Sequence, residues 1–125
     1  MGLLDGLFGH GSAVDAASLR DRLDGVLIEG ESVRLAFRII RDLFVFTERR
    51  LILVDVQGVT GSKIEFTSVP YRAVVRFSVE TAGTFDLDAE LKIWVSGTGE
   101  PLTRTLKKGT DVRGIQRALA EGVLR

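Results

Sequence analysis

Cysteine is absent from this chain. That excludes disulfides, thiolate nucleophiles and zinc–thiolate sites together, and it fits a reducing compartment. The one histidine, His10, lies in a glycine-rich stretch. A Ser-His-Asp or Cys-His arrangement needs an imidazole held in place, so such chemistry is not expected. Net charge is also missing: 17 basic residues face 17 acidic ones. Nucleic acids and anionic membranes both reward a basic field, so neither is an expected partner. Zero net charge gives little colloidal repulsion and suits self-association. Long apolar runs are missing too. A bilayer needs about 18 to 20 such residues, and the longest runs here, such as Leu51 to Val54, are strand-sized. The opening Met1-Gly2-Leu3-Leu4-Asp5-Gly6 has no basic region followed by an apolar one, as a signal peptide would. A cytoplasmic location is expected.

What is present is ordinary for a folded domain: 125 residues, 45% hydrophobic and 27% charged. A chain of this size buries roughly two-thirds of its unfolded surface. Residues 1–11 carry four glycines and two apolar pairs, Leu3-Leu4 and Leu7-Phe8. They read as a frayed tail or as an arm whose Leu7 and Phe8 dock on the domain or on a neighbouring subunit. A short helix follows, with Ser12 and Asp15 as a capping-box-like start and Ala16, Leu19 and Leu23 at helical spacing. Gly25 ends it.

From residue 31 the period becomes two. Val33, Leu35, Phe37 and Ile39 mark one face of a first strand. Leu43 to Thr47 is a second. Leu51 to Val56 is apolar throughout, which suits a strand covered on both faces. Ile64 and Phe66 share a face of a fourth strand, which Pro70 ends. Val75, Phe77 and Val79 mark the fifth. In the sixth, Leu87, Ala89, Leu91, Ile93 and Val95 oppose Asp86, Asp88, Glu90, Lys92 and Trp94. Leu102, Arg104 and Leu106 mark the seventh. The links are too short for parallel crossovers, so the strands form an antiparallel meander. A C-terminal helix follows, capped by Thr110 or Asp111, with Val112, Ile115, Leu119 and Val123 in one stripe to plug an end of the curled sheet. Gly114 inside it suits close approach to the sheet.

Candidate chemistry is thin. Asp86, Asp88 and Glu90 lie along a strand at roughly 6.5 to 7 Å intervals. Such a row cannot converge on a cation, which wants six to eight oxygens at about 2.3 to 2.6 Å. Arg76 on the preceding strand is their expected cross-strand partner. Gly97-Thr98-Gly99 has no helix behind it, so it reads as a hairpin turn and not a phosphate loop. Arg34, Arg38, Arg41, Arg49 and Arg50 cluster in sequence as a candidate anion-binding patch, with Glu31, Asp42 and Glu48 interleaved to neutralise it. Trp94, on the polar face of the sixth strand, is a candidate interface anchor, unless the N-terminal helix or another strand covers it. No catalytic, metal-binding or cofactor-binding residue is identified, so no enzyme and no cofactor is expected.

The segment from Thr47 to Gly97 carries a resemblance. Arg50-Leu51-Ile52, Asp55-Val56-Gln57-Gly58, Pro70-Tyr71 and Phe77-Ser78-Val79-Glu80-Thr81-Ala82-Gly83, followed by Asp86-Leu87-Asp88-Ala89-Glu90-Leu91-Lys92-Ile93-Trp94, resemble the bacterial pleckstrin-homology-domain family. The resemblance implies a mainly β, PH-like half-barrel of two near-orthogonal antiparallel sheets with a C-terminal capping helix. Residues 31–125 would form that domain, and residues 1–30 the tail and N-terminal helix. It also implies a tendency towards ring-shaped homo-oligomers. The function expected is a non-catalytic binding and assembly module. The alternative is a peripheral lipid- or anion-binding PH-like domain, although the loop at Ile40-Arg41-Asp42 is too short and too balanced to grip a multiply phosphorylated head group.

Overall fold

The computed structural model describes residues 16–81 and 88–125. The change of period seen in the sequence marks where helix gives way to sheet and sheet to helix. Helix α1 spans Ala16–Leu23, and Gly25, with φ +80°, turns the chain after it. Strands β1 (Val33–Ile39), β2 (Asp42–Thr47), β3 (Arg50–Gln57) and β4 (Lys63–Pro70) form one antiparallel sheet in that order. A 3-10 turn at Tyr71–Ala73 leads to β5 (Val74–Glu80). With β6 (Ala89–Val95) and β7 (Leu102–Leu106) it forms a second antiparallel sheet. Helix α2 (Val112–Val123) closes the chain.

The main core lies between the sheets and α2. Phe44 and Phe46 of β2, Leu51 and Leu53 of β3, Leu91 and Ile93 of β6, and Ile115 and Leu119 of α2 all belong to it. Phe37 meets Phe46 edge-on at 5.8 Å between ring centroids, a favoured aromatic geometry. A second cluster lies on the outer face of the four-stranded sheet. There Leu19 and Leu23 of α1 cover Leu43, Val45, Ile52 and Val54. The continuous apolar run of β3 is therefore explained as expected: odd residues face the inner core and even residues face α1.

Three local expectations change. The first strand does not keep one apolar face. Val33 pairs with Thr47 but Leu35 pairs with Phe46, so Arg34 is an extra, bulged residue. The bulge reverses the parity, sending Val33 outward to join Ala36 under α1 while Phe37 and Ile39 point inward. Gly114 does not meet the sheet. A side chain there would collide with the carboxylate of Asp111, which caps α2 by accepting from the Gly114 N–H at 2.9 Å. The close approach is made instead by Gly122, where an added Cβ would lie 2.6 Å from the Tyr71 ring. The sixth strand begins at Ala89, and Asp86 and Leu87 lie outside the described residues, as do Leu7, Phe8, His10, Ser12 and Asp15.

Candidate functional site

Trp94 stands on β6 facing away from the inner core, because its neighbours Ile93 and Val95 take the inward positions. It belongs to neither hydrophobic cluster. Helix α1, one expected cover for it, lies on the other sheet. What lies over the indole is Arg76. Val74 pairs with Val95 while Arg76 pairs with Trp94, so Val75 is bulged out of β5. The bulge brings Arg76 directly opposite Trp94, and its guanidinium carbon lies 3.9 Å from the ring centroid, a cation–π contact worth about 0.5–1 kcal/mol at an exposed site. Val75 itself is 67% exposed. A half-buried indole, a cation stacked on it and a protruding valine thus share one end of β5 and β6.

This register overturns the expected pairing of Arg76 with the acidic row. Glu90 sits opposite Glu80, away from Arg76, and pairs with Lys92 at 3.7 Å. Asp88 accepts from the Lys108 N–H at 2.9 Å and lies 3.6 Å from the Lys107 ammonium. Among the described residues no three His, Cys, Asp or Glu side chains group as a metal site.

The five arginines do not converge. Arg41, in the β1–β2 turn, donates to the Gly58 carbonyl at 2.8 Å. Arg49 and Arg50 sit at the other end of β2, a strand of six residues that spans roughly 20 Å. Arg34 is the exposed bulge residue, and Arg38 is half-buried along β1. Arg50 is held inside the protein. Its Nε and Nη2 donate to Glu31 at 2.8 Å each, its Nη2 also to the Val26 carbonyl at 2.7 Å, and its Nη1 to Ser68 at 2.8 Å. Thr47 donates to the same Glu31 carboxylate at 2.8 Å. The Arg50 hydrogen bonds, the Ile28 N–H and the Thr47 hydroxyl outweigh burial and hold the Glu31 carboxyl down at about 2. This network ties the segment after α1 to the β2–β3 turn.

Among the hollows lined by the described residues, two gather arginines from distant elements. One, of about 430 Å³, lies between the β1–β2 edge and the end of α2, with Arg34, Phe46, Tyr71, Glu121 and Arg125 among its lining. The Tyr71 hydroxyl donates to the Thr47 carbonyl at 2.7 Å. Burial, with Glu31 and Glu48 nearby, pushes its ionisation above the usual tyrosine range, so it stays neutral. The other hollow, of about 370 Å³, holds Arg41, Arg104 and Lys107. Asp55 pairs with Arg104 at 3.0 Å and Asp88 faces Lys107, so two of the three cations have anionic partners within the chain, and Arg41 donates to the Gly58 carbonyl. Both hollows combine residues from distant elements, which no local spacing could announce.

Against this geometry the comparisons with known proteins are clear. The model of the bacterial PH domain family matches residues 2–123. The chain belongs to the bacterial PH domain family. It is 53% identical over 121 residues to the uncharacterized protein YjqA of Bacillus subtilis (strain 168), spanning 96% of this chain and 97% of that one. Among solved structures it is similar to a pleckstrin homology domain from Shewanella amazonensis SB2B, with 55% identity, a TM-score of 0.83, and 92% and 93% of the two chains covered. A DUF1696 family protein with a pleckstrin-homology domain from Shewanella loihica PV-4 is 55% identical, with a TM-score of 0.75 over 88% of this chain and 94% of that one. The PH-like fold expected from the resemblance is thereby established for this bacterial PH domain. Among its described residues, no helix is long and apolar enough to cross a membrane.

Proposed function

We propose that this bacterial PH domain is a non-catalytic assembly module that self-associates into a homo-oligomeric ring, using the outer face of β5 and β6 as a contact. The observation that carries the reading is Trp94, half-buried beneath Arg76 and beside the protruding Val75. Tryptophan and arginine are the side chains most enriched among those that dominate binding energy in interfaces. β5 is moreover an edge strand, and an open edge offers unpaired backbone groups to a neighbour. Ring closure is what the family resemblance implies for a contact between unlike faces. A cytoplasmic setting agrees with the cysteine-free sequence.

Light scattering on the purified protein tests this. An assembly larger than a monomer at tens of micromolar is expected, and Trp94→Ala should shift it towards smaller species without unfolding the domain. A wild-type monomer at that concentration sinks the reading. The alternative of peripheral lipid or anion binding has less support, because its five arginines are spread over two ends of a sheet and Arg50 is already engaged by Glu31. Salt-sensitive co-sedimentation with anionic vesicles would revive it.

A further inference from the structure

The hollow between the β1–β2 edge and the end of α2 has a volume of about 430 Å³, within the range of small-molecule sites. Its floor is apolar. Leu35, Phe46 and Ala118 contribute to it, and the Tyr71 ring lies with them. Phe46 is buried in the main core and Leu35 packs against that core. Tyr71 is held at two points. Its hydroxyl donates to the Thr47 carbonyl at 2.7 Å, and its ring occupies the space that a side chain at Gly122 would need. A floor fixed in this way is preformed, so a ligand meets little cost of reorganisation.

The rim is charged in both signs. Arg34 and Glu48 stand on the sheet side, Glu121 and Arg125 on the helix side. All four residues are exposed. Glu48 is oriented by the Ser32 N–H, which donates to it at 3.0 Å. Arg125 donates from its Nε to the Glu121 carbonyl at 3.0 Å, which leaves its two Nη groups for other acceptors. Among the described residues, neither Arg34 nor Glu121 takes part in an ion pair. The last turn of α2 borders the hollow through Glu121 and Gly122, and the negative end of a helix dipole favours a cation.

This balance discriminates among ligands. A multiply charged anion would meet Glu48 and Glu121 as well as the arginines. A wholly apolar molecule would take four charged side chains out of water with no partner in return. Two cations and two anions around an apolar floor match a molecule that is itself neutral overall, with a carboxylate, an ammonium and an apolar side chain. A guanidinium receives a carboxylate through paired N–H donors.

We propose that this hollow binds a free apolar α-amino acid, its carboxylate held by Arg34 and Arg125, its ammonium by Glu121, and its side chain on Leu35, Phe46 and Tyr71. The site lies within one chain and does not depend on the assembly proposed above.

Tyr71 is the only tyrosine of the chain, so the full-length protein labelled with ring-13C tyrosine gives one set of signals from the floor of the hollow. Titration with L-phenylalanine or L-leucine should move that set to saturation, with a half-point below about 1 mM, a strength open to a ligand of so few atoms. 3-Phenylpropionate lacks the ammonium and phenethylamine lacks the carboxylate; each should bind roughly tenfold more weakly than L-phenylalanine, as loss of one charged contact requires. Arg34→Ala and Glu121→Gln should each weaken L-phenylalanine by a similar factor. Arg117→Ala removes an exposed charge of α2 outside the hollow and should leave the titration unchanged. Absence of a saturable shift with both amino acids overturns the proposal. Binding of 3-phenylpropionate or phenethylamine as tight as that of L-phenylalanine also overturns it, as does equal weakening by Arg117→Ala and the two rim variants.

Discussion

Glu31 shows how much a single side chain can organise. Its carboxylate is fully buried and answers the Arg50 guanidinium with two hydrogen bonds of 2.8 Å. Removing one partner of such a pair leaves the other charge without compensation. Glu31→Gln is expected to lower stability by about 3 kcal/mol at neutral pH, as measured by urea unfolding. The sign of the pH effect follows from the lowered carboxyl. Folded Glu31 titrates at about 2 against 4.5 for a free carboxyl, so its contribution is complete above pH 4.5. It fades as pH falls from there towards 2, because the unfolded chain takes up the proton first. The gap between wild type and Glu31→Gln should therefore shrink across that window, and a constant gap would refute this account. Ile40 is a second residue of interest. It is β-branched, 68% exposed, and holds φ +59° in the two-residue β1–β2 turn. A left-handed conformation costs a branched residue roughly 1–2 kcal/mol, and glycine avoids that. After the extra unfolded-state entropy of glycine is set against it, Ile40→Gly should raise stability by about 0.5–1 kcal/mol, seen as a higher urea midpoint with unchanged slope. The neutralising place of Glu31 among the arginines was legible beforehand, but its choice of Arg50 and the backbone of Ile40 were not. The sequence shows Arg50 among other arginines and Ile40 among other isoleucines, and only the turn geometry separates them.

Among the elements, α2 shows what periodicity can and cannot say. The stripe of Val112, Ile115, Leu119 and Val123 correctly identified the face turned to the core, because an apolar stripe must be buried somewhere. The glycines in that helix were harder to read. Both lack a side chain, but Gly114 makes room for its own N-cap and Gly122 makes room for the Tyr71 ring. Gly122→Ala is expected to destabilise the domain by about 1–3 kcal/mol through overpacking. It should also loosen the bond from Tyr71 to Thr47, and near-ultraviolet circular dichroism of the tyrosine will report it. The strands teach a similar lesson. Alternation located all seven, yet two bulges, at Arg34 and at Val75, changed which residues share a face. A bulge adds one residue to one strand, and its position depends on how two strands pair, not on either strand alone. The second bulge is the one that set Arg76 over Trp94.

For the molecule as a whole, the order of strands and helices, the antiparallel meander and the membership of the bacterial PH domain family were all contained in the chain's own residues. They rest on local signals: the period of apolar residues, the shortness of the links, and a long motif string. The same signals singled out Trp94, since a tryptophan among charged residues on a strand is unusual. If the outer face of β5 and β6 is a contact, Arg76→Ala should weaken assembly less than Trp94→Ala, because it removes the cation but leaves the indole surface; sedimentation velocity can rank the two. What only the tertiary structure decided is where non-local partners meet. It separated the arginines, joined Glu31 to Arg50 across 19 positions, placed α1 on the outer sheet face, and left Ile64 and Phe66 outward on β4. Periodicity reports which residues of one element point the same way. Which side is then covered depends on elements far along the chain, and only folding brings those together.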